Sequence, residues 1–212
     1  MIQISLKGLA KFMTASAAGQ RKVLRDYKYP DEEGQAQAAY YRDARNAIAK
    51  FHDKKLAATW LEDQAAALLA GSKSAAKPQI ASRLKNNARA LKCYADFFGT
   101  TTYDVLPDVS LGLNFAGILV TVNPDLCVTE KGKEKLLKLE FASDEPDAEV
   151  IKIISQAMFE AALSEGMKLS SSQVLYVDVP RGVRHKGARL GALTKKNIEA
   201  ACSNIAAIWS AL

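Results

Sequence analysis

Thiols and imidazoles are scarce in this chain of 212 residues, with three cysteines and two histidines. Cys93, Cys127 and Cys202 lie far apart, no two at metal-ligand spacing, and an odd number argues against a closed disulfide framework. His52 and His185 alone would build a zinc site only with an unusual ligand set. Long apolar runs are also missing. Phe115 to Val122 is too short to span a bilayer, and the opening Met-Ile-Gln-Ile-Ser-Leu-Lys-Gly holds no apolar core of a signal peptide. Neither G-x-x-x-x-G-K-S/T, G-x-G-x-x-G nor G-x-S-x-G occurs in a usable context, which removes the commonest nucleotide-binding and hydrolase signatures. A soluble, cytoplasmic protein without a membrane partner is expected.

Present in ordinary amounts are hydrophobic residues (49%) and charged residues (25%), enough for one packed core rather than a disordered tail. Lys and Arg outnumber Asp and Glu by 29 to 23, a net charge of +6 and a pI near 9.1. That excess admits a polyanionic partner without demanding one.

The first hundred residues read as helical. Ser5 caps a short segment with Leu6, Leu9, Ala10 and Met13 at helical spacing. Gln35 to Ala70 predicts one long helix, or two joined near His52-Asp53, with Gly71 as the stop. Gln79 to Phe98 predicts another, with Ile80, Leu84, Ala88, Leu91 and Ala95 facing inward. After Thr100 the texture turns to β-branched residues punctuated by Gly and Pro. The pattern predicts a mixed sheet containing segments near Gly117–Pro124, Leu136–Phe141 and Gln173–Val179, with Arg184 to Ala188 as a pairing strand. A helix from Pro146 to Glu165 should pack on it, stopped by Gly166, and Thr194 should cap a final helix. The organisation expected is residues 1–100 as a helical part and 101–212 as an α/β core, together one compact unit.

Three positions in the β-rich part carry chemistry. Residues two apart on a strand share a face, so Lys138 and Glu140 project together. If Asp125 lies across the sheet, two carboxylates and an ammonium converge. Such a set can hold Mg²⁺ or Mn²⁺ through oxygen, and the Lys can stabilise charge on a phosphoryl group. The alternative is an amphipathic outer strand whose Lys and Glu face solvent, and on spacing alone this is the commoner arrangement.

Charge is patterned elsewhere too. Lys7 to Lys28 holds Lys7, Lys11, Arg21, Lys22, Arg25 and Lys28 against Asp26 alone. Arg181 to Lys196 holds Arg181, Arg184, Lys186, Arg189, Lys195 and Lys196 with no acid, interleaved with glycines that let a backbone approach a phosphate. Arg21, Lys22, Arg25, Arg181, Arg184, Lys186 and Arg189 are therefore candidate nucleic-acid contacts, against the reading of a solvated basic surface. Tyr27 and Tyr29 stand beside the first cluster, where unpaired bases could stack, but a core role is favoured.

The order of elements resembles the PD-(D/E)XK nuclease superfamily, in particular its RecB-like exonuclease branch. In that family an Asp ends one strand, a D/E-x-K triplet lies on the next, and a helix bearing a Gln precedes another strand. Here stand Pro124-Asp125, Lys138-Leu139-Glu140, Gln156 in Ile154-Ser155-Gln156-Ala157-Met158-Phe159, and Leu175-Tyr176-Val177-Asp178-Val179. Ser5-Leu6-Lys7-Gly8-Leu9 is similar to the helical start of such nucleases, and His52 is the one upstream candidate for their metal-ligating His. The resemblance implies a restriction-endonuclease-like mixed sheet flanked by helices. It implies Asp125, Glu140, Lys138 and Gln156 as catalytic residues, Asp125, Glu140 and His52 as ligands for Mg or Mn, and DNA as partner. The triplet is reversed, K-x-E in place of D/E-x-K, which exchanges the two side chains along the strand. Two readings follow: a metal-dependent DNA nuclease, or a catalytically inactive module of the same fold that binds nucleic acid or a protein partner. Ala-rich helices mediating self-association make a third.

Overall fold

The computed structural model describes residues 1–30, 39–188 and 192–212, with the side chains of 192 and 193 left aside. It is a mixed α/β protein with two sheets flanked by helices. In chain order the elements are β1 (Ile2–Ser5), α1 (Leu6–Thr14), α2 (Ala17–Lys28), α3 (Arg42–Asp53), α4 (Ala58–Lys73), α5 (Pro78–Phe98), β2 (Asp104–Val105), β3 (Leu111–Phe115), β4 (Ile118–Val122), β5 (Leu126–Glu130), β6 (Lys133–Glu140), α6 (Ala148–Ser164), β7 (Val174–Asp178), β8 (Val183–Lys186) and α7 (Ala192–Trp209). Among the described residues no helix is long and apolar enough to cross a membrane.

The expected single sheet is divided. Strand β4 pairs with β1 in parallel and with β3 antiparallel, while β2-β5-β6-β7-β8 form a separate five-stranded sheet. The division falls at Asn123-Pro124-Asp125. Pro124 has no N–H to offer a ladder, and regular pairing resumes when the Asp125 N–H donates to Leu137 O at 2.8 Å. Within the larger sheet, β6 and β7 run parallel with Lys138 opposite Tyr176 and Glu140 opposite Asp178. Helix α6 is the crossover between them.

The alternation of side chains along β6 and β7 builds two cores. Leu136, Val174 and Tyr176 face α1, α6 and α7, packing with Leu9, Ile154, Met158 and Ile205. Leu137, Leu139, Leu175 and Val177 face α3, α4 and α5, packing with Ile48, Leu61, Leu91 and Tyr94. The sheet is therefore covered on both sides. Lys138 and Glu140 lie on a covered face, where charges must be paired, not on a solvated one.

Helix ends follow local chemistry. The Ser5 hydroxyl accepts from the Gly8 N–H at 3.1 Å, and the Ser16 hydroxyl from Gly19 at 3.3 Å. The span from Arg42 to Lys73 is two helices, broken at Lys54–Ala57 where Lys55 takes a positive φ. Gln35 to Ala38 fall outside the described residues. Gly71 does not stop α4. The helix runs to Lys73, and the Ser72 and Ser74 hydroxyls bond the Leu69 and Gly71 carbonyls at 2.7 and 3.2 Å. Ile80, expected inward, is exposed in the first turn of α5, beyond the reach of the core that buries Ala88, Leu91 and Ala95. Asp147, one residue after Pro146, caps α6 through the Glu149 N–H, and Gly166 ends it with φ +78°. Thr194 is not a cap: α7 begins two residues earlier, and Thr194 is buried within its first turn.

Candidate functional site

At the carboxyl end of β6, where the chain crosses between sheets, a cleft of about 850 Å³ opens between α1 and α3. Lys7, Arg42, Arg45, Asn123, Asp125 and Lys138 are among the residues lining it. Three elements position these groups. Ser5 starts α1 so that Lys7 falls in its first turn; α3 presents Arg42 and Arg45 three residues apart on one side; and the β4–β5 link sets Asp125 beside β6.

Asp125 and Lys138 do converge. The Lys138 ammonium lies 3.1 Å from Asp125 Oδ2 and donates to the Asn123 carbonyl at 3.1 Å. The same Oδ2 accepts the Leu139 N–H at 2.8 Å, and Oδ1 accepts from Arg45 Nη1 at 3.3 Å. Glu140 is held by a different set. Its Oε2 accepts from Lys7 Nζ at 2.8 Å and from the Tyr176 hydroxyl at 2.9 Å; its Oε1 accepts the Phe141 and Ala142 N–H groups at 3.0 and 3.1 Å.

These contacts fix the protonation states. Burial alone would raise the Glu140 carboxyl, but the Lys7 ammonium and the hydrogen bonds to Glu140 outweigh it and hold the group below its ordinary value. Burial draws the Lys138 ammonium down; Asp125 opposes this, while Lys7 and Arg45 add to it. Tyr176 is pushed up by burial and by the Glu140 charge, so it stays a phenol that donates. Lys7 acts on both Glu140 and Lys138, which places the two ion pairs in one electrostatic neighbourhood.

The donor set does not fit a divalent cation. A carboxylate offers about four lone-pair positions, and all those of Glu140 are taken by N–H and O–H donors. Both oxygens of Asp125 face cationic side chains. Among the described residues, no three His, Cys, Asp or Glu side chains gather as ligands. Along β6 the Lys138 ammonium stands beside Asp125 and the Glu140 carboxylate within reach of Lys7.

His52 is elsewhere. It is buried on the α3–α5 side, its Nε2 2.7 Å from the Tyr94 hydroxyl, its ring against Phe51 and Tyr103. Burial, with Arg184 and Lys55 nearby, lowers its pKa to about 4, so it is a neutral packing group. Gln156 is also buried, and its amide donates to Glu160, a carboxylate that also pairs with Lys195. Among the described residues it makes no hydrogen bond to Asp125 or Glu140.

The loop arginines are engaged internally. Arg181 binds the buried Asp178 carboxylate at 3.1 Å and the Ser143 carbonyl at 2.7 Å. Arg184 reaches Glu130 at 3.4 Å and Thr101 at 2.5 Å, with its guanidinium over the Phe98 and Tyr103 rings. Lys186 is exposed, and Arg189 lies outside the described residues. Arg21, Lys22 and Arg25 all stand exposed on α2. Tyr27 is half-buried with its hydroxyl on Ser5, and Tyr29 is exposed beside Lys28.

Sequence reasoning missed Arg42, Arg45 and Tyr176 as site residues and gave Lys7 no role in the site. The available signals were the i, i+3 arginines of α3 and the helix start at Ser5. No known protein family and no curated protein matches the chain.

Proposed function

We propose that this protein is a nucleic-acid-binding module with a RecB-like nuclease core that binds without hydrolysing, using fixed cationic side chains where the resemblance would place a metal. The observation that carries this reading is the convergence of Lys7, Arg45 and Lys138, from three separate elements, on the floor of one cleft. Arg42 adds an exposed guanidinium at its wall. Lys7, Arg45 and Lys138 are each paired with a carboxylate, but with Arg42 four cations stand against Asp108, Asp125 and Glu140, so the cleft keeps a net positive charge. Phosphate suits that surplus, since Arg offers a planar fork and Lys a point charge. The three thiols are free and suit a reducing cytosol, where we place its work.

Binding should be measured by fluorescence anisotropy with single-stranded DNA, duplex DNA and RNA across a salt series. The affinity should fall steeply with salt as phosphate contacts release counterions. Arg42→Ala should weaken binding across sequences and reduce the slope by about one unit. If none of the three is retained at low salt, the nucleic-acid reading fails and a protein-interaction module takes its place.

A further inference from the structure

Helix α5 carries a charge pattern that the cleft does not account for. Between Asp63 and Asp96 the chain has six cations and no acid: Lys73, Lys77, Arg83, Lys85, Arg89 and Lys92. Three of them, Lys85, Arg89 and Lys92, recur at i, i+4 and i+7, and all three are exposed. That spacing sets them in one column along roughly 10 Å of helix. Lys85 and Lys92 make no ion pair among the described residues. A column of like charges costs the free protein self-repulsion and gains only when an anion lies along it.

The column adjoins the cleft. The Arg89 guanidinium stands near Tyr41, where its charge works against the rise that burial gives the phenol. Tyr41 is the neighbour in sequence of Arg42, at the cleft wall, and its ring stacks on Phe141 with centroids 5.0 Å apart. The buried Asn87 fixes the two pieces together, accepting the Ala44 N–H at 2.9 Å and donating to the Tyr40 carbonyl at 2.7 Å. Asn87 thereby ties α5 to the first turn of α3, where Arg42 stands.

We infer that the Lys85–Arg89–Lys92 column continues the cleft as a track for the sugar–phosphate backbone of a single nucleic-acid strand. This rests on the nucleic-acid reading of the cleft and extends it to a named surface. A single file of cations contacts one strand through its phosphates and reads no sequence.

The test is anisotropy with a fluorescent single-stranded DNA of roughly thirty nucleotides, long enough to run beyond one local site, on the wild type, on K85Q/K92Q and on R42A. Both lysines are exposed and neither makes an ion pair among the described residues, so the double variant should keep the wild-type melting temperature. It should bind about tenfold more weakly, with a salt slope shallower by about 1.4 units, at ~0.7 per lost phosphate contact on a single strand. The single variants K85Q and K92Q should each give about half of that slope change. Wild-type binding with K85Q/K92Q unchanged in affinity and slope, while R42A is weakened, would overturn the track and leave the cleft reading standing. No wild-type binding at all would remove both.

Discussion

Lowering the pH from neutral to about 4 should cost the folded protein about 3 kcal/mol at one side chain, His52. The folded chain takes up that proton only near 4, against an ordinary value of 6.5, because the imidazole is buried among Phe51, Tyr94 and Tyr103 with Arg184 and Lys55 close by. Between those two values the unfolded state binds more protons than the folded one. Stability is therefore complete above about 6.5 and falls as the pH falls towards 4. The gap is about 2.5 pH units, each worth about 1.4 kcal/mol. Urea unfolding followed by tryptophan fluorescence across this range measures it directly. His52→Phe is the control: it keeps an aromatic ring, leaves the Tyr94 hydroxyl without its partner at a roughly constant cost of about 1–2 kcal/mol, and abolishes the titration. A wild type and a His52→Phe variant with parallel stability profiles from neutral pH to about 4 would refute the placement of His52 as a neutral core group.

Four further outcomes follow from the same contacts. Lys138→Ala should destabilise by about 3 kcal/mol in urea melts, since it removes a cation from the buried Asp125 carboxylate, and the double variant Asp125→Asn, Lys138→Met should recover most of that loss. Lys7→Ala should cost only about 1 kcal/mol, because Lys7 is half exposed; in the wild type the stabilisation from Glu140 should persist above its ordinary value of 4.5 and disappear as acid protonates it below that. Arg184→Ala should lower stability by about 2 kcal/mol through lost contacts with Glu130, Thr101 and two rings, while the nucleic-acid salt slope stays as in the wild type. Gly182→Ala should lower the melting temperature, since φ is +67° there and an added Cβ would stand 2.5 Å from Phe97.

What could be read from the sequence was what local chemistry decides. Ser5 before Leu6 and Gly166 at the end of α6 act within one turn of themselves, and the period-2 alternation of β6 is intrinsic to the strand. What could not be read was decided by partners distant in sequence. Ile2–Ser5 is a strand because β4, more than a hundred residues later, offers it a parallel edge. The stretch from Arg181 to Lys196 is free of acid, yet Arg184 finds its carboxylate on Glu130, 54 residues away. Arg181 is neutralised by Asp178, just outside the stretch. Lys138 and Glu140 do share a face, as their spacing requires. Which charges meet the carboxylates around them, Arg45 from α3 on Asp125 and Lys7 from α1 on Glu140, is a property of how the helices close over the sheet.

On the proposed reading, Lys7, Arg45 and Lys138 take the place of a bound cation. This is tested most directly by measuring single-stranded DNA affinity and melting temperature with a chelator and then with Mg²⁺ at matched ionic strength. Side-chain cations that occupy the carboxylate oxygens leave the melting temperature the same in the two buffers, with the DNA uncut, and Mg²⁺ acts on the affinity only as a competing counterion. A melting temperature raised by Mg²⁺ in the wild type but not in Asp125→Ala, or cleavage of the DNA, would contradict the account.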